Sequence, residues 1–138
     1  MALAITAANV LASATALRSS GIAGATITAG QPLYADPTDS SKLKPADSDA
    51  SVATATVVGI ALNNASAGQP VNYVTQDPDF TTGAAGMAVG IAYALSPTAG
   101  AIDPVANLAA PSVLTVLFVA KSTTKAVMKI VSGGVAIA

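Results

Sequence analysis

Residues 56–76 of this chain read TVVGIALNNASAGQPVNYVTQ. Two runs rich in Val, Ile, Thr and Tyr flank a short segment rich in Asn, Ser and Gly, which is the pattern of two strands joined by a turn. Pro70 removes a backbone donor and disfavours a helix in the second run. The same alternation continues from about residue 22 to the end of the chain. With 11 glycines and 8 prolines among 138 residues, the sequence predicts an all-β protein.

The strand and turn signals lie at the short spacing that is typical of a small sandwich or barrel. We predict strands at 31–35, 52–62, 70–76, 89–95, 112–121 and 125–131. The turn signals between and after them are Asp36-Pro37-Thr38-Asp39, Asn63-Asn64, Ala67-Gly68, Asp77-Pro78-Asp79, Ser96-Pro97-Thr98-Ala99-Gly100 and Ser132-Gly133-Gly134. The expected fold is a small β-sandwich or jelly-roll-like domain over residues 25–138.

The body also shows an internal repeat. GQPLYADPT from Gly30 matches GIAYALSPT from Gly90 at an offset of 60 residues, and TVVGIA from Thr56 matches TVLFVA from Thr115 at an offset of 59. GQPV from Gly68 then falls opposite TKAV from Thr124 at an offset of 56. The order of elements is the same in both halves, which indicates two duplicated β-units whose apolar faces pack together.

Residues 1–24 form a separate N-terminal arm in this prediction. The stretch 2–17, ALAITAANVLASATAL, is uncharged and fits either a helix or an extended segment. It lacks a preceding cation and is diluted by polar residues, which disfavours a signal peptide, and it is too short for a membrane span. We expect a flexible joint at Ser19-Ser20-Gly21 and Gly24, so that the arm leaves its own domain. The expected contacts with a neighbour are Leu3, Ile5, Val10, Leu11 and Leu17.

The composition favours a component of an assembly. Hydrophobic residues make up 52% of the chain, but 32 positions are alanine, so the core is thin. Charged residues make up 9%, against about 25% in an average soluble domain. A monomer with so few charges is poorly protected against association, and we expect part of the apolar surface to be buried against other chains.

The residue types leave little for catalysis. The chain has no His, Cys, Trp or Glu, which excludes thiolate and imidazole metal sites, disulfides and every triad built on His. The carboxylate pairs Asp47/Asp49 and Asp77/Asp79 fit turns better than calcium loops, because each has too few ligands. We therefore expect no enzyme, no cofactor and no metal. A small carbohydrate-active or lyase-like enzyme using Asp and Tyr is the weakest alternative.

Two further sets of residues have alternative interpretations. Lys125 and Lys129 point to one side of a predicted strand, either as edge charges that deter aggregation or as a contact for an acidic partner. Tyr34, Tyr73 and Tyr93 fit either the rim of the core or an interface. With only six cations and few aromatic residues, the chain lacks the dense basic stripe of a nucleic-acid-binding protein. We expect neither nucleic acid nor membrane as a partner.

These features together resemble the small capsid cement, or decoration, proteins of tailed bacteriophages. The segments that carry the resemblance lie within residues 25–134: TITAGQPLY from Thr26, TVVGIAL from Thr56, AGQPVNYV from Ala67, GIAYALS from Gly90 and STTKAVMKIVSG from Ser122. Phe118 stands where the repeat predicts a second glycine. The resemblance implies a β-rich body on the outer surface of an assembled head, and it implies no catalytic residues.

The expected function is therefore structural. The resemblance predicts a virion protein, made in the host cytoplasm, that binds across subunits of the major capsid protein and stabilises the shell against internal DNA pressure. It is also expected to associate with itself as a dimer or a trimer, which the sequence does not distinguish. The alternative is a secreted or surface-displayed adhesin or surface-layer module, which shares the Ala/Thr-rich, charge-poor β-composition.

Overall fold

The computed structural model describes residues 3–109 and 112–136. Residues 1–2 of the predicted arm and residues 110–111 and 137–138 of the predicted body lie outside it. The predicted all-β class is confirmed. Among the described residues, two single-turn 3-10 helices, Ala7–Asn9 and Val105–Asn107, accompany ten strands. The strands are β1 (Val10–Leu11), β2 (Leu17–Ile22), β3 (Pro32–Asp36), β4 (Lys42–Pro45), β5 (Gly59–Ala61), β6 (Pro70–Thr82), β7 (Ala92–Leu95), β8 (Ile102–Pro104), β9 (Val113–Ala120) and β10 (Lys125–Ala136).

One curled antiparallel sheet holds all ten strands. Its main path runs β4-β3-β5-β6-β10-β9-β7-β8. The long strand β6 belongs to both halves of this path, because Val74 near its start pairs with Ile60 of β5 and Phe80 near its end pairs with Ala126 of β10. Each half therefore has the same internal order, β4-β3-β5-β6 in the first and β8-β7-β9-β10 in the second.

The hydrogen bonds repeat with the sequence. Gly30 N–H donates to Ala61 O at 2.8 Å, and Gly90 N–H donates to Ala120 O at 2.8 Å. Both glycines have positive φ, 95° and 84°, which is the backbone region that favours glycine. The next bonds also match, since Ala61 N–H and Ala120 N–H donate to the residues that follow the two glycines. The offset of about 60 residues thus relates equivalent positions of two β-units.

The core lies on the concave side of the sheet in two clusters. The larger cluster belongs mainly to the second unit and contains Phe80, Leu95, Leu117, Phe118 and Met128, all at most 1% exposed. The smaller cluster belongs to the first unit and is built on Ile27, Leu33, Leu43 and Val71. Alternation explains the choice of residues: along β10, Ala126 and Met128 point inward while their neighbours point outward.

The N-terminal arm lies on its own body, which differs from the prediction. Val10 lies opposite Thr82 and Ile22 lies opposite Pro70, so the segment follows the whole length of β6 on the edge away from β5 and β10. Beyond these pairs, Leu3 N–H donates to Ile102 O of β8 at 2.7 Å. The physical reason is the thirteen-residue strand β6, which without this segment would present a long unpaired edge.

The predicted joint at Ser19-Ser20-Gly21 is also wrong, because these residues form the middle of β2. Their side chains are small, and Gly21 lets β2 approach Leu43 of β4: a Cβ at this position would lie 2.9 Å from the Leu43 Cδ1 atom. Gly24 N–H then donates to Leu43 O at 2.8 Å. The segment therefore reaches β4 at one end and β8 at the other, the two end strands of the main path.

Several strand predictions need correction. Only Gly59–Ala61 of the predicted strand 52–62 is extended in the sheet, since residues 46–58 form turns that pack on the start of β9. Thr115 Oγ1 in β9 anchors this loop by donating to Ala55 O at 2.7 Å. The predicted turns at Asp77-Pro78-Asp79 and Ser132-Gly133-Gly134 lie inside β6 and β10. The short strands β4 and β8 were not predicted.

Candidate interaction surface

The lysines of β10 lie on an interior strand of the sheet. Lys125 and Lys129 are exposed, and the strand that carries them pairs with β6 on one side and β9 on the other. The interpretation of β10 as an edge strand is therefore wrong, and protection of an edge does not explain these charges.

The strand register places the exposed leucines of the arm on the same face as these lysines. Leu11 lies opposite Thr81, and Thr81 lies opposite Lys125. Leu17 lies opposite Gln76, and Gln76 lies opposite Lys129. Directly opposed residues of neighbouring antiparallel strands point to the same side of a sheet. The two rows thus run from the arm across β6 to the outer side of β10.

Valines continue this surface across β10 and β9. Val127 lies opposite Val119, and Val131 lies opposite Val116. We call the five exposed apolar side chains on this convex side the outer face. Its members and their exposed fractions are Leu11 (65%), Leu17 (58%), Val119 (41%), Val127 (48%) and Val131 (56%). Five exposed apolar side chains on one side of the sheet exceed the scattered single residues that a monomer normally carries, and this excess favours a site of protein association.

A small ion-pair network borders the outer face. Asp79 of β6 lies 2.6 Å from Lys121 Nζ and 3.2 Å from Lys125 Nζ. Hydrogen bonds from Lys121 and Lys125 hold the pKa of the Asp79 carboxyl below its usual value. Lys129 forms no ion pair within residues 3–109 and 112–136. This side of the sheet therefore carries three positive charges and one negative charge.

A second charge cluster occupies the hairpin between β3 and β4. Lys44 Nζ lies 2.7 Å from an Asp36 carboxylate oxygen and 3.2 Å from one of Asp39. The hydrogen bond from Lys44, aided by Thr38, lowers the pKa of Asp36 to about 2, and the same partner raises the pKa of Lys44. Asp36 also accepts the Thr38 N–H at 2.9 Å. These contacts explain the cluster as a hairpin turn with balanced charges.

The five predicted arm contacts divide into two groups. Leu3, Ile5 and Val10 are half-buried and pack against the larger core cluster of their own chain. Ile5 fits over Gly30, where a Cβ would lie 2.6 Å from its Cγ2 atom. Leu11 and Leu17 point outward and are exposed. These two are therefore the predicted contacts with the largest exposed surface.

The three tyrosines do not form one surface patch. Tyr93 is 3% exposed, and its ring centroid lies 5.6 Å from that of Phe118. Its hydroxyl accepts the Ala88 N–H at 3.0 Å, so the interpretation of Tyr93 as an interface residue is wrong. Tyr34 and Tyr73 are half-buried and pack against the larger and the smaller core cluster, respectively.

A buried carboxylate that the sequence predicted only as part of a turn fastens the arm to β6. Asp77 is fully buried and accepts hydrogen bonds from Ser13 N–H at 2.7 Å, from Ser13 Oγ and from Asp79 N–H at 2.9 Å. Ser13 lies in the segment between β1 and β2, where the arm leaves the sheet. No sequence signal distinguishes this Asp from the other turn-like acids, because its partner lies 64 positions away.

The remaining candidate sites show turn chemistry. Asp47 accepts the Asp49 N–H at 3.2 Å, and partial burial raises the pKa of Asp47. Within residues 3–109 and 112–136, no group of three or more Asp, Glu, His or Cys side chains converges as a metal site. A cavity of about 960 Å³ borders the arm and is lined by residues such as Leu3, Val10, Gly83 and Tyr93, with no charged side chain.

Comparison with known proteins adds no relative: no family model and no curated protein matches the sequence. In the described part of the chain, the structure contains no helix of the length and hydrophobicity needed to cross a membrane.

Proposed function

We propose that this protein is a structural virion protein that binds the outer surface of an icosahedral phage head, across subunits of the major capsid protein. The observation that carries the proposal is the outer face, to which Leu11 and Leu17 of the arm and Val119, Val127 and Val131 of β9 and β10 all contribute. Its exposure is unfavourable for a free monomer and favours a protein partner. The sequence resemblance to phage decoration proteins gives that partner its class.

The mechanism is stabilisation by binding. A protein that binds the intact shell but not its separated subunits stabilises the intact shell by mass action. Many copies on a symmetric lattice add avidity, so each contact need not be tight. The fold suits this task, because the arm leaves no long edge of β6 unpaired and supplies two leucines to the outer face. Self-association as a dimer or trimer remains part of the proposal.

The direct test uses undecorated expanded shells assembled from the major capsid protein of the phage that carries this chain. Purified protein is added, and bound copies and the disruption temperature of the shells are measured. The matched variants are Val127→Asp on the outer face and Val52→Asp in the loop before β5, since the two valines are 48% and 52% exposed. Both variants change the net charge equally.

The proposal predicts that wild type and Val52→Asp bind and protect the shells, whereas Val127→Asp binds at least tenfold more weakly. Circular dichroism and thermal melting verify that both variants are folded. Equal binding by the two folded variants would show that the outer face is not the contact. Absence of binding by wild type would contradict the function itself. Deletion of residues 1–20 is a poor substitute, because the deleted segment pairs with β6.

A further inference from the structure

We propose that the partner surface is acidic as well as apolar, and that it places carboxylates opposite Lys129 and Lys125 while apolar groups cover the valines. This inference rests on the proposed function and deepens it, because it names the chemistry of the partner. The partner is a protein surface.

Charge is unevenly distributed over the molecule. The outer face is bordered by three lysines and one acid, Lys121, Lys125, Lys129 and Asp79. These four residues carry a surplus of two positive charges. The whole chain carries −1, so all remaining residues together carry −3. A chain with few charges has thus concentrated its positive charge beside its exposed apolar side chains. Interfaces place charges opposite charges of the other sign, which steers association and fixes orientation.

Among the described residues, Lys129 has no ion-pair partner that would explain its position. Lys125 shares Asp79 with Lys121, whereas Lys129 lies one residue beyond buried Met128 and pairs across the sheet with Gln76. Because β10 lies between β6 and β9, its lysines protect no edge. Lys129 also lies in the same row as exposed Leu17. The row therefore offers a cation and an apolar side chain to the same partner.

The residues between the lysines favour a protein over a nucleic acid or a membrane. Val127 lies between Lys125 and Lys129 along β10 and opposite Val119 of β9, and no aromatic side chain stands among the five members of the outer face. Nucleic-acid binding depends on many phosphate contacts and, for single strands, on stacking. Two of the three lysines are already engaged with Asp79. Exposed apolar side chains interspersed with a few cations fit a protein interface better than a phosphate-binding surface.

The experiment measures binding to the same undecorated shells at 0.05 M and 0.5 M salt. Lys129→Gln is compared with Lys42→Gln, a variant of equal net charge whose lysine pairs with Asp39 in the β3–β4 hairpin. A carbodiimide, which joins an amine to a carboxylate in direct contact, is then applied to decorated shells. Mass spectrometry identifies the residues that it has coupled. A DNA duplex and vesicles containing anionic lipid serve as the other two binding partners.

The inference predicts that Lys129→Gln weakens shell binding about threefold to fivefold at low salt, while Lys42→Gln does not. The difference shrinks at 0.5 M salt, where the Debye length is about 4 Å. A coupled product joins Lys129 to an Asp or Glu of the shell protein. If wild type binds shells but the two variants bind equally and Lys129 forms no product, the inference is wrong and the proposed function stands. Binding to DNA or vesicles with the same dependence on Lys129 would also overturn it, and failure of wild type to bind shells contradicts both proposals.

Discussion

Two equivalent glycines, one under the arm and one away from it, provide a matched test of how the arm packs. Gly30 and Gly90 have φ values of 95° and 84° and donate the same hydrogen bond in the two units. Alanine at either position must adopt a left-handed backbone, at about 1–2 kcal/mol. They differ in their surroundings. A Cβ at Gly30 would lie 2.6 Å from Ile5 Cγ2 and 3.2 Å from Val10 Cγ2, whereas a Cβ at Gly90 has no heavy atom within 4 Å.

The distances set the expected magnitudes. Carbon atoms pack best at about 3.5–4.0 Å, so Gly30→Ala must displace Ile5 by about 1 Å or lift the arm. Overpacking of this kind costs about 1–3 kcal/mol in addition to the backbone strain. We therefore expect Gly90→Ala to lower the free energy of unfolding by about 1–2 kcal/mol and Gly30→Ala by about 2–5 kcal/mol. Urea denaturation monitored by circular dichroism measures both changes.

A double-mutant cycle with Ile5→Ala shows whether the extra cost comes from the arm. Removing the Ile5 Cγ2 atom relieves the contact, so Gly30→Ala should cost at least about 1 kcal/mol less in the Ile5→Ala background. Gly90→Ala should add to Ile5→Ala within about 0.5 kcal/mol, because the two sites share no partner. Equal costs of the two glycine substitutions, or additivity at Gly30, would refute the packing of the arm on this body.

Three further predictions concern the contacts that hold the arm, the charge clusters and the long loop. Asp77→Asn should lower the free energy of unfolding by about 2 kcal/mol, because it weakens the hydrogen bonds to Ser13. The control, Asp49→Asn at an exposed position, should change the free energy of unfolding by less than about 0.5 kcal/mol. Equal effects of the two substitutions in urea titrations would show that Asp77 does not fasten the arm. The pKa values of Asp36 and Asp79 are lowered in the folded state, that of Asp36 from 3.8 to about 2, so their stabilisation is complete above the unfolded value and is lost as the pH falls through the folded one. The melting temperature should therefore fall as the pH is lowered from 4 to 2, and Asp47 should oppose this fall because its pKa is raised. If the melting temperature of an Asp36→Asn variant fell by the same amount over this range, Asp36 would not be a source of the pH dependence. Thr115→Val should lower the free energy of unfolding by about 1–2 kcal/mol, because it removes the hydrogen bond to the buried Ala55 carbonyl. Thr56→Val, which changes an exposed residue, is the control. Equal melting temperatures of the two variants would show that Thr115 does not anchor the loop.

The sequence predicted what depends on local pattern. Alternation along β10 placed Ala126 and Met128 on one side and Lys125 and Lys129 on the other, and the structure confirms it. The repeat at an offset of 60 marked equivalent positions such as Gly30 and Gly90 before any hydrogen bond was known. Alternation depends on neighbouring residues, and the repeat depends on comparing the sequence with itself. Neither signal requires knowledge of the strand order.

What the sequence could not predict depends on contacts between distant residues. Asp77-Pro78-Asp79 has the composition of a turn, yet it continues β6, because the arm and β10 pair with this strand on opposite edges. Ser19-Ser20-Gly21 has the composition of a flexible joint, yet it forms β2 beside the same strand. The outer face was hidden for the same reason: Leu17 and Lys129 become neighbours only through Gln76 between them.

The central claim is that this protein occupies the outside of a phage head through its outer face. The most direct measurement is the number of copies of this chain per copy of major capsid protein in purified particles, with their position resolved by cryo-electron microscopy. The proposed function predicts a fixed ratio of the two proteins, set by the capsid lattice. It also predicts density for this chain on the outer surface, with Val119 and Val127 turned toward the shell. Particles that lack the chain, or that carry it with these valines facing solvent, would contradict the account.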